Sequence, residues 1–230
     1  MIFAISDLHI STRGDKPMDI FGSSWEGYLD KIEKDWIQKV SNDDIVLLCG
    51  DLSWALKLED AVQDLEFLNK LPGKKIIIKG NHEHWWNSYS KVKLALSNDI
   101  YPLQNNSISF GKYVFCGTRG WELPTDTTSE EDKKIYAREL LRLEMSLQDA
   151  ILKKNEDQEI ILMTHFPPYG ENYSSSSFTD IIEKYGVKKV VYGHIHSLQS
   201  PHKNFFVLNN VEYYLTSCDM RGNTLTLISD

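Results

Sequence analysis

The chain has 230 residues, with 25 Lys and Arg against 33 Asp and Glu, so its formal net charge is −8. Its content of 41% hydrophobic and 25% charged residues is typical of a globular protein, and its length fits one domain over residues 1–230. The acidic total argues against a broad nucleic-acid-binding surface, and three scattered cysteines exclude a disulfide framework. No apolar run approaches the ~18 residues of a membrane helix, and Asp7 follows the first apolar run too closely for a signal peptide. We therefore expect a cytoplasmic protein without a membrane segment; its oligomeric state is not predicted.

The first hundred residues predict strands that alternate with helices. Short apolar runs predict strands, which are Ile2–Ser6, Ile45–Cys49 and Lys75–Lys79. A capping-box pattern predicts a helix from Ser23 to about Val40. Leucine spacing predicts a second helix over Lys57–Leu71, and Lys91–Leu96 reads as a short third one.

The remainder mixes short strands with helices. Residues 100–117 predict antiparallel strands, which are Tyr101–Leu103, Ser107–Phe110 and Tyr113–Cys116. A capping pattern at residues 128–131 predicts a long helix to about Lys153, and Phe178–Tyr185 reads as another helix. The last predicted strands are Glu159–Met163, Lys189–Tyr192, Phe205–Leu208, Glu212–Thr216 and Thr224–Ile228. This order favours a layered α/β sandwich with partly parallel strands.

Five polar motifs each follow a predicted strand directly. They are Asp7-Leu8-His9, Gly50-Asp51, Gly80-Asn81-His82-Glu83, Thr164-His165 and Gly193-His194-Ile195-His196. Because sites form at the carboxyl ends of parallel strands, we expect these side chains to meet at one edge of a sheet. Two carboxylates, four imidazoles and one amide suit first-row divalent metals such as Mn, Fe, Zn or Co. Seven ligands are too many for one tetrahedral metal and fit two metals that share a bridging carboxylate.

The ordered set of motifs, which spans Asp7 to His196, resembles the calcineurin-like metallophosphoesterases. The resemblance implies the metallophosphatase fold, an α/β/β/α sandwich of two mixed β-sheets flanked by helices. The metal ligands that it implies are Asp7, His9 and His196 for one ion, Asp51 as the bridge, and Asn81, His165 and His194 for the other.

By the same resemblance, the protein is a binuclear phosphohydrolase that cleaves a phosphomonoester or phosphodiester by in-line attack of a metal-bridging hydroxide. His82 would protonate the leaving group or stabilise the charge that develops on it. The expected partner is a small anionic phosphoester, because two divalent metal ions would reverse the local sign of an acidic chain. The alternative is a catalytically inactive scaffold that uses the same fold as a binding platform.

For several residues near the motifs, the sequence is compatible with two roles. Trp54 stands where many relatives carry the second acid of Gly-Asp-x-x-Asp, and no arginine follows within residues 50–57, which argues against a protein phosphatase. Arg13 and Arg119 either bind a substrate phosphate or are surface charges, and Glu83 either orients a ligand or forms a simple turn salt bridge. Four tryptophans either pack under the loops or form an aromatic rim for substrate; they are Trp54, Trp85, Trp86 and Trp121.

Overall fold

The computed structural model describes residues 1–14, 16–196 and 202–230, and eleven strands within them form two β-sheets. The first sheet has the order β11-β1-β2-β3-β4, with strands β1 (Ile2–Ile5), β2 (Ile45–Leu48), β3 (Lys74–Ile77), β4 (Ile100–Pro102) and β11 (Thr226–Ser229). Strands β1 to β4 are parallel, and β11 pairs antiparallel with β1. The antiparallel prediction for Tyr101–Leu103 is therefore wrong, because this segment continues the parallel sheet beside β3.

The second sheet has the order β5-β6-β7-β8-β10-β9. Its strands are β5 (Ser107–Phe110), β6 (Tyr113–Thr118), β7 (Glu159–Thr164), β8 (Lys189–Tyr192), β9 (Phe205–Leu208) and β10 (Val211–Leu215). The four inner strands are parallel, and an antiparallel strand closes each edge. Strands β6, β7 and β8 are almost fully buried, as expected for a parallel sheet covered on both faces, whereas β10 alternates buried and half-buried residues.

Five α-helices accompany the sheets in the described residues: α1 (Tyr28–Lys39), α2 (Leu58–Asn69), α3 (Tyr89–Ala95), α4 (Glu130–Lys153) and α5 (Ser177–Lys184). The cap of α4 is confirmed, since the Ser129 side chain accepts a hydrogen bond from the Asp132 amide. The predicted start of α1 at Ser23 is wrong. A 3-10 turn occupies Ser23–Trp25, extended backbone at Glu26 interrupts it, and the helix begins after Gly27. No helix of the described residues is long and apolar enough to cross a membrane.

Alternation along the strands divides the core into three layers. In β1, Phe3 and Ile5 pack in a cluster with Ile32 and Trp36 of α1, on the outer face of the first sheet. Ile2 and Ala4 point the other way, into a cluster shared by the two sheets. A third cluster lies between the second sheet and helices α4 and α5. The observed order of layers is α/β/β/α, which confirms the predicted sandwich of two mixed β-sheets flanked by helices.

The carboxyl ends of the two sheets meet. Ser6, at the end of β1, donates its amide to the carbonyl of Thr216, which follows β10, and Cys218 donates its amide back to the Ser6 carbonyl. Three motifs follow β1, β2 and β3 of the first sheet, and two follow β7 and β8 of the second. The expectation of one sheet edge is therefore wrong, because the motifs come from two sheets whose ends converge.

Candidate metal centre

Seven side chains from the five motifs gather at this junction, and we call them the edge cluster: Asp7, His9, Asp51, Asn81, His165, His194 and His196. Asp7, His9 and His196 form one group, in which the potential ligand atoms lie within 4.8 Å of one another. Asp51, His165 and His194 form a second group with the same spacing. Each group contains three residues able to hold a metal ion.

Asn81 belongs with the second group. Its Oδ1 lies 2.6 Å from Nε2 of His165 and 3.0 Å from Nδ1 of His194. The two ring nitrogens are themselves 3.2 Å apart. The two imidazole nitrogens and the amide oxygen therefore form a converging set of potential metal ligands.

Asp51 lies between the groups. Its Oδ2 is 3.3 Å from Nε2 of His165 and 3.8 Å from Nε2 of His9. Its Oδ1 accepts a hydrogen bond of 2.9 Å from the His82 amide, which fixes the rotation of the carboxylate. One carboxylate therefore reaches the imidazoles of both groups.

The backbone of the edge cluster is unusual. Asp7, His9, Asp51 and His194 have φ angles of 60°, 45°, 52° and 70°, in the left-handed region. Such residues cost about 1–3 kcal/mol each and concentrate at functional sites. The conformation turns the chain sharply after each strand and presents the side chain to the junction.

Glycines allow two of these turns to pack closely. A Cβ atom on Gly80 would overlap the Asp51 carboxylate, and one on Gly193 would lie 2.5 Å from Oδ2 of Asp7. Only glycine leaves room for these carboxylates, which explains the Gly-Asn and Gly-His pairs of the motifs.

Two ligand candidates are oriented through their second ring nitrogen. Nδ1 of His196 lies 3.0 Å from Oδ1 of the buried Asp219, so that its Nε2 faces Asp7 at 3.5 Å. Nδ1 of His165 lies 2.9 Å from the Cys49 carbonyl oxygen, so that its Nε2 faces the second group. Such partners fix the ring orientation of metal-binding histidines. The sequence analysis missed Asp219, because it follows β10 and belongs to no motif.

Glu83 joins two motif loops. Its fully buried carboxylate accepts hydrogen bonds from the amides of Asp51, Leu52 and Gly80, at 2.9, 2.5 and 2.5 Å. Burial and the charge of Asp51 raise the pKa of Glu83 to about 7, although these bonds oppose the rise. Glu83 therefore holds the main chain of both loops, and it does not form the simple turn salt bridge considered above.

The four imidazoles of the edge cluster differ in proton affinity. Burial lowers the pKa of His9 to about 4, and burial together with His165 lowers the pKa of His194 to about 4. Burial also disfavours charge on His165 and His196, but neighbouring carboxylates outweigh it and raise their pKa values to about 9 and about 10. Two imidazoles are thus neutral at neutral pH, which is the form that binds a cation.

The donor set fits divalent metals. Among the described residues, Nδ1 of His9 is buried without a hydrogen-bond partner, and the ring nitrogens of His165 and His194 face each other. A cation in the first group would coordinate one ring nitrogen of His9, and a cation in the second would coordinate the facing nitrogens of His165 and His194. Carboxylate, imidazole and amide ligands suit first-row divalent ions.

His82 lies beside the edge cluster. Its half-buried ring is 5.5 Å from the His9 ring and 4.4 Å from the Trp54 ring, between centroids. Burial lowers its pKa, while the charge of Asp51 opposes the change. The ring lines a cavity of about 520 Å³ that also reaches His9 and His196. His82 is therefore placed to contact a ligand bound there.

The two predicted phosphate-binding arginines lie in different surroundings. Arg119 pairs with the buried Glu139 at 3.3 Å, and its guanidinium lies 4.3 Å from the centroid of the Trp121 ring. Arg13 forms an ion pair with Asp60 and lines a separate cavity of about 270 Å³. Neither has a described hydrogen bond or ion pair to the edge cluster, and their role in substrate binding stays a prediction.

The four tryptophans divide between the two interpretations. Trp85 and Trp86 are buried in the core against the first sheet, as expected for packing under the loops. Trp54 is half-buried and stacks on His9 at 4.7 Å. Trp121 packs beside Phe166 at 5.1 Å.

Comparison with solved structures supports the fold. The protein of unknown function AQ665 from Aquifex aeolicus aligns with a TM-score of 0.52 and 16% identity, over 98% of this chain and 94% of that one. The protein TT1561 of Thermus thermophilus aligns with a TM-score of 0.58 and 13% identity, over 98% of this chain and 96% of that one. At these identities the likeness concerns the fold alone. No curated protein matches the chain.

A match of the sequence to a family model shows the family. The family model for calcineurin-like phosphoesterases matches residues 1–198, which include all five motifs. Together with the two groups of potential ligands, this match supports a metal-dependent phosphoesterase in general. The chain therefore belongs to the calcineurin-like phosphoesterase family.

Proposed function

We propose that the chain is a binuclear metal-dependent phosphohydrolase that cleaves phosphomonoesters or phosphodiesters. The position of Asp51 carries the proposal, since its Oδ2 lies within 3.8 Å of imidazole nitrogens in both ligand groups. A carboxylate can serve two cations at once, and paired cations form the clamp used in phosphoryl transfer.

The proposed assignment of ligands follows the two groups. Asp7, His9 and His196 would hold one divalent ion, Asp51 would contact both, and Asn81, His165 and His194 would complete the other. When bound, the two ions would supply positive charge and Lewis acidity to a phosphoryl group. The chain as a whole is acidic, with a formal charge of −8 that includes Asp7 and Asp51, so this positive charge would be confined to the site.

His82 is the proposed catalytic residue. Its ring lines the cavity beside the edge cluster, and its backbone amide donates to Asp51, so the main chain of His82 is held next to both ligand groups. From there it can donate a proton or a hydrogen bond to the leaving oxygen of a bound ester. Glu83 and Asp219 hold the loops and the ligand rings in place.

The test is metal-dependent turnover. Purified protein with added Mn²⁺ is assayed on p-nitrophenyl phosphate and bis-p-nitrophenyl phosphate, in the wild type and in Asp51→Asn. We expect turnover in the wild type and a loss of at least about a thousandfold in Asp51→Asn. Asp43→Asn is the matched control, because Asp43 is exposed and the charge change is the same. A protein that binds metal without turnover of any phosphoester would support the scaffold alternative.

We also propose that residues 1–230 form one domain. The first strand β1 pairs with the last strand β11, so both ends of the chain share one sheet. One cooperative unfolding transition in denaturant is expected, and two separate transitions would contradict this organisation.

A further inference from the structure

A cavity of about 520 Å³ opens beside the edge cluster, on the side of His9, His82 and His196. Its other lining residues are the apolar Met18, Phe21, Trp25 and Trp54, together with Gly22, Ser23, Ser24 and Asp219. Sites for small organic ligands have volumes of about 300–1,000 Å³ and are mostly apolar with a few polar groups. This cavity has that size and that chemistry.

The aromatic walls contact the histidines directly. The Trp54 ring stacks on His9 with 4.7 Å between centroids, and it meets the His82 ring edge-on at 4.4 Å. The Trp25 ring lies 5.6 Å from the His196 ring. A group bound in this cavity would therefore lie next to the residues proposed to carry the chemistry.

Hydrogen bonds hold these walls in place. The indole nitrogen of Trp54 donates to the sulfur of Met18 at 3.2 Å. Trp25 is 5% exposed and packs edge-on against Tyr28, whose hydroxyl donates to the Leu8 carbonyl. The buried Asn223 donates to the Ser24 carbonyl at 2.7 Å, which fixes the loop on this side. The cavity is thus preformed.

An exposed aromatic ring completes the rim. Phe21 is 64% exposed and lines the cavity, while its neighbour Ile20 is 72% exposed and does not line it. Both belong to the short 3-10 turn Asp19–Phe21. A ligand ring in the cavity would cover part of Phe21 and contribute an aromatic contact.

We propose that this cavity binds the alcohol part of the substrate and that this alcohol carries an aromatic ring system, as an aryl group or a nucleobase does. The inference rests on the proposed function, in which His82 faces the leaving oxygen. An aromatic ring fits better than an alkyl chain, because a flexible chain loses conformational entropy when it is fixed between rigid walls. Flat indole and phenyl faces also favour stacked and edge-on contacts with a planar ligand.

The experiment uses alcohols of similar acidity, so that ring and chain are compared without a change in leaving-group chemistry. The Mn²⁺-loaded protein is given 2-naphthylmethyl, decyl and ethyl phosphate, together with their methyl diesters, and kcat/KM is measured for each. We expect the naphthylmethyl ester to exceed the ethyl ester by at least about tenfold. Phe21→Ala should lower this ratio by about three- to tenfold, and Ile20→Ala should leave it unchanged.

A binding measurement separates this inference from the proposed function. Ligand-observed NMR gives the Kd of 2-naphthylmethanol, which contains no phosphate, for the wild type and both variants. Binding that Phe21→Ala weakens and Ile20→Ala does not would support the ring site even if no ester were hydrolysed, an outcome that would overturn only the proposed function. Absent binding, an equal effect of both variants, or a preference for the decyl ester would overturn the assignment of an aromatic ring.

Discussion

Two buried polar clusters of this protein are built on opposite principles. The Glu139 cluster consists of Thr118, Arg119, Glu139 and Arg142, and its buried carboxylate receives bonds of 2.6 Å from the Thr118 hydroxyl and 2.7 Å from Arg142. The Glu139 carboxylate thus meets hydrogen-bond donors, as buried acceptors require, although Nε of Arg119 is buried without a hydrogen-bond partner among the described residues. In the edge cluster, potential metal-ligand atoms converge instead: those of each group lie within 4.8 Å of one another, and Nδ1 of His194 lies 3.2 Å from Nε2 of His165. Carboxylate, imidazole and amide groups that converge in this way are a ligand set that suits a divalent cation.

The two clusters also differ in the regularity of their backbones. Thr118 ends β6, and Glu139 and Arg142 lie within the regular helix α4. Four residues of the edge cluster instead hold left-handed φ angles. Regular elements are enough to position a structural ion pair. Strained loops that survive in a folded protein point to function.

The largest expected effect concerns His82, which contacts the edge cluster without belonging to either ligand group. His82→Ala should keep metal binding and lower kcat by about 10²–10⁴, most for esters with poor leaving groups, because a proton donor or hydrogen bond to the leaving oxygen is lost. The exposed His84 provides the matched control, and His84→Ala should behave as the wild type. Metal loss in His82→Ala would place this residue inside the ligand set.

The sequence alone predicts the members of the edge cluster and the position of helix α4. The five motifs identified all seven members of the edge cluster because each chemically distinctive set directly follows a buried strand. Helix α4 was predicted from local signals, since its Ser129 cap involves residues three positions apart. Local patterns succeed where the deciding contact is also local.

Long-range contacts account for the failures. Asp219 orients His196 from 23 positions away, and nothing in its sequence neighbourhood marks it. The Ser23 pattern misplaces the start of α1, since Asn223 donates to the Ser24 carbonyl from 199 positions away and a left-handed Gly27 then precedes the helix. Likewise, the division of the motifs between two sheets depends on strand pairing, which periodicity does not encode.

The next effect concerns Asp219. Asp219→Asn should weaken Mn²⁺ affinity by about 10–100-fold, because the carboxylate orients the His196 ring and increases its basicity. Isothermal titration measures the affinity, with Asp43→Asn again as the control. Unchanged affinity would show that His196 needs no support from this carboxylate, or that it is not a ligand.

Glu139 tests the other cluster. Glu139→Gln keeps the size of the side chain but turns an amide donor toward the Thr118 and Arg142 donors. We expect the free energy of unfolding to fall by about 2–3 kcal/mol, with metal binding intact. The exposed Glu131 of the same helix is the control, and Glu131→Gln should change stability by less than about 0.5 kcal/mol. Loss of metal binding in Glu139→Gln would remove the distinction between the clusters.

The smallest expected effect concerns a second ion pair with a buried member, between Lys75 and Asp99. Nζ of the fully buried Lys75 donates to Asp99 at 2.6 Å and to the Leu71 carbonyl at 2.5 Å. Burial would raise the pKa of Asp99, but the bonds from Lys75 and Ser97 outweigh it and lower the pKa. A depressed carboxyl pKa stabilises the fold above the unfolded-state value, and this stabilisation is lost as the pH falls through the folded-state value.

Asp99→Asn should therefore be less stable than the wild type by about 1 kcal/mol at pH 7. The difference should shrink as the pH falls below about 4, because the Asp99 carboxyl of the unfolded chain gains its proton there while that of the folded chain stays ionised to lower pH. Urea unfolding at a series of pH values measures it. A difference that grows toward acid pH would contradict the sign of this linkage.

The central claim is that the edge cluster is a binuclear metal centre with Asp51 shared between the ions. Native mass spectrometry of protein dialysed against Mn²⁺ tests it most directly. The account predicts two ions bound per wild-type chain and at most one in Asp51→Asn, while the variant's unfolding free energy in chelator stays within about 1 kcal/mol of the wild type, or rises. A wild-type chain that binds no Mn²⁺, or an Asp51→Asn chain that still binds two ions, would contradict it.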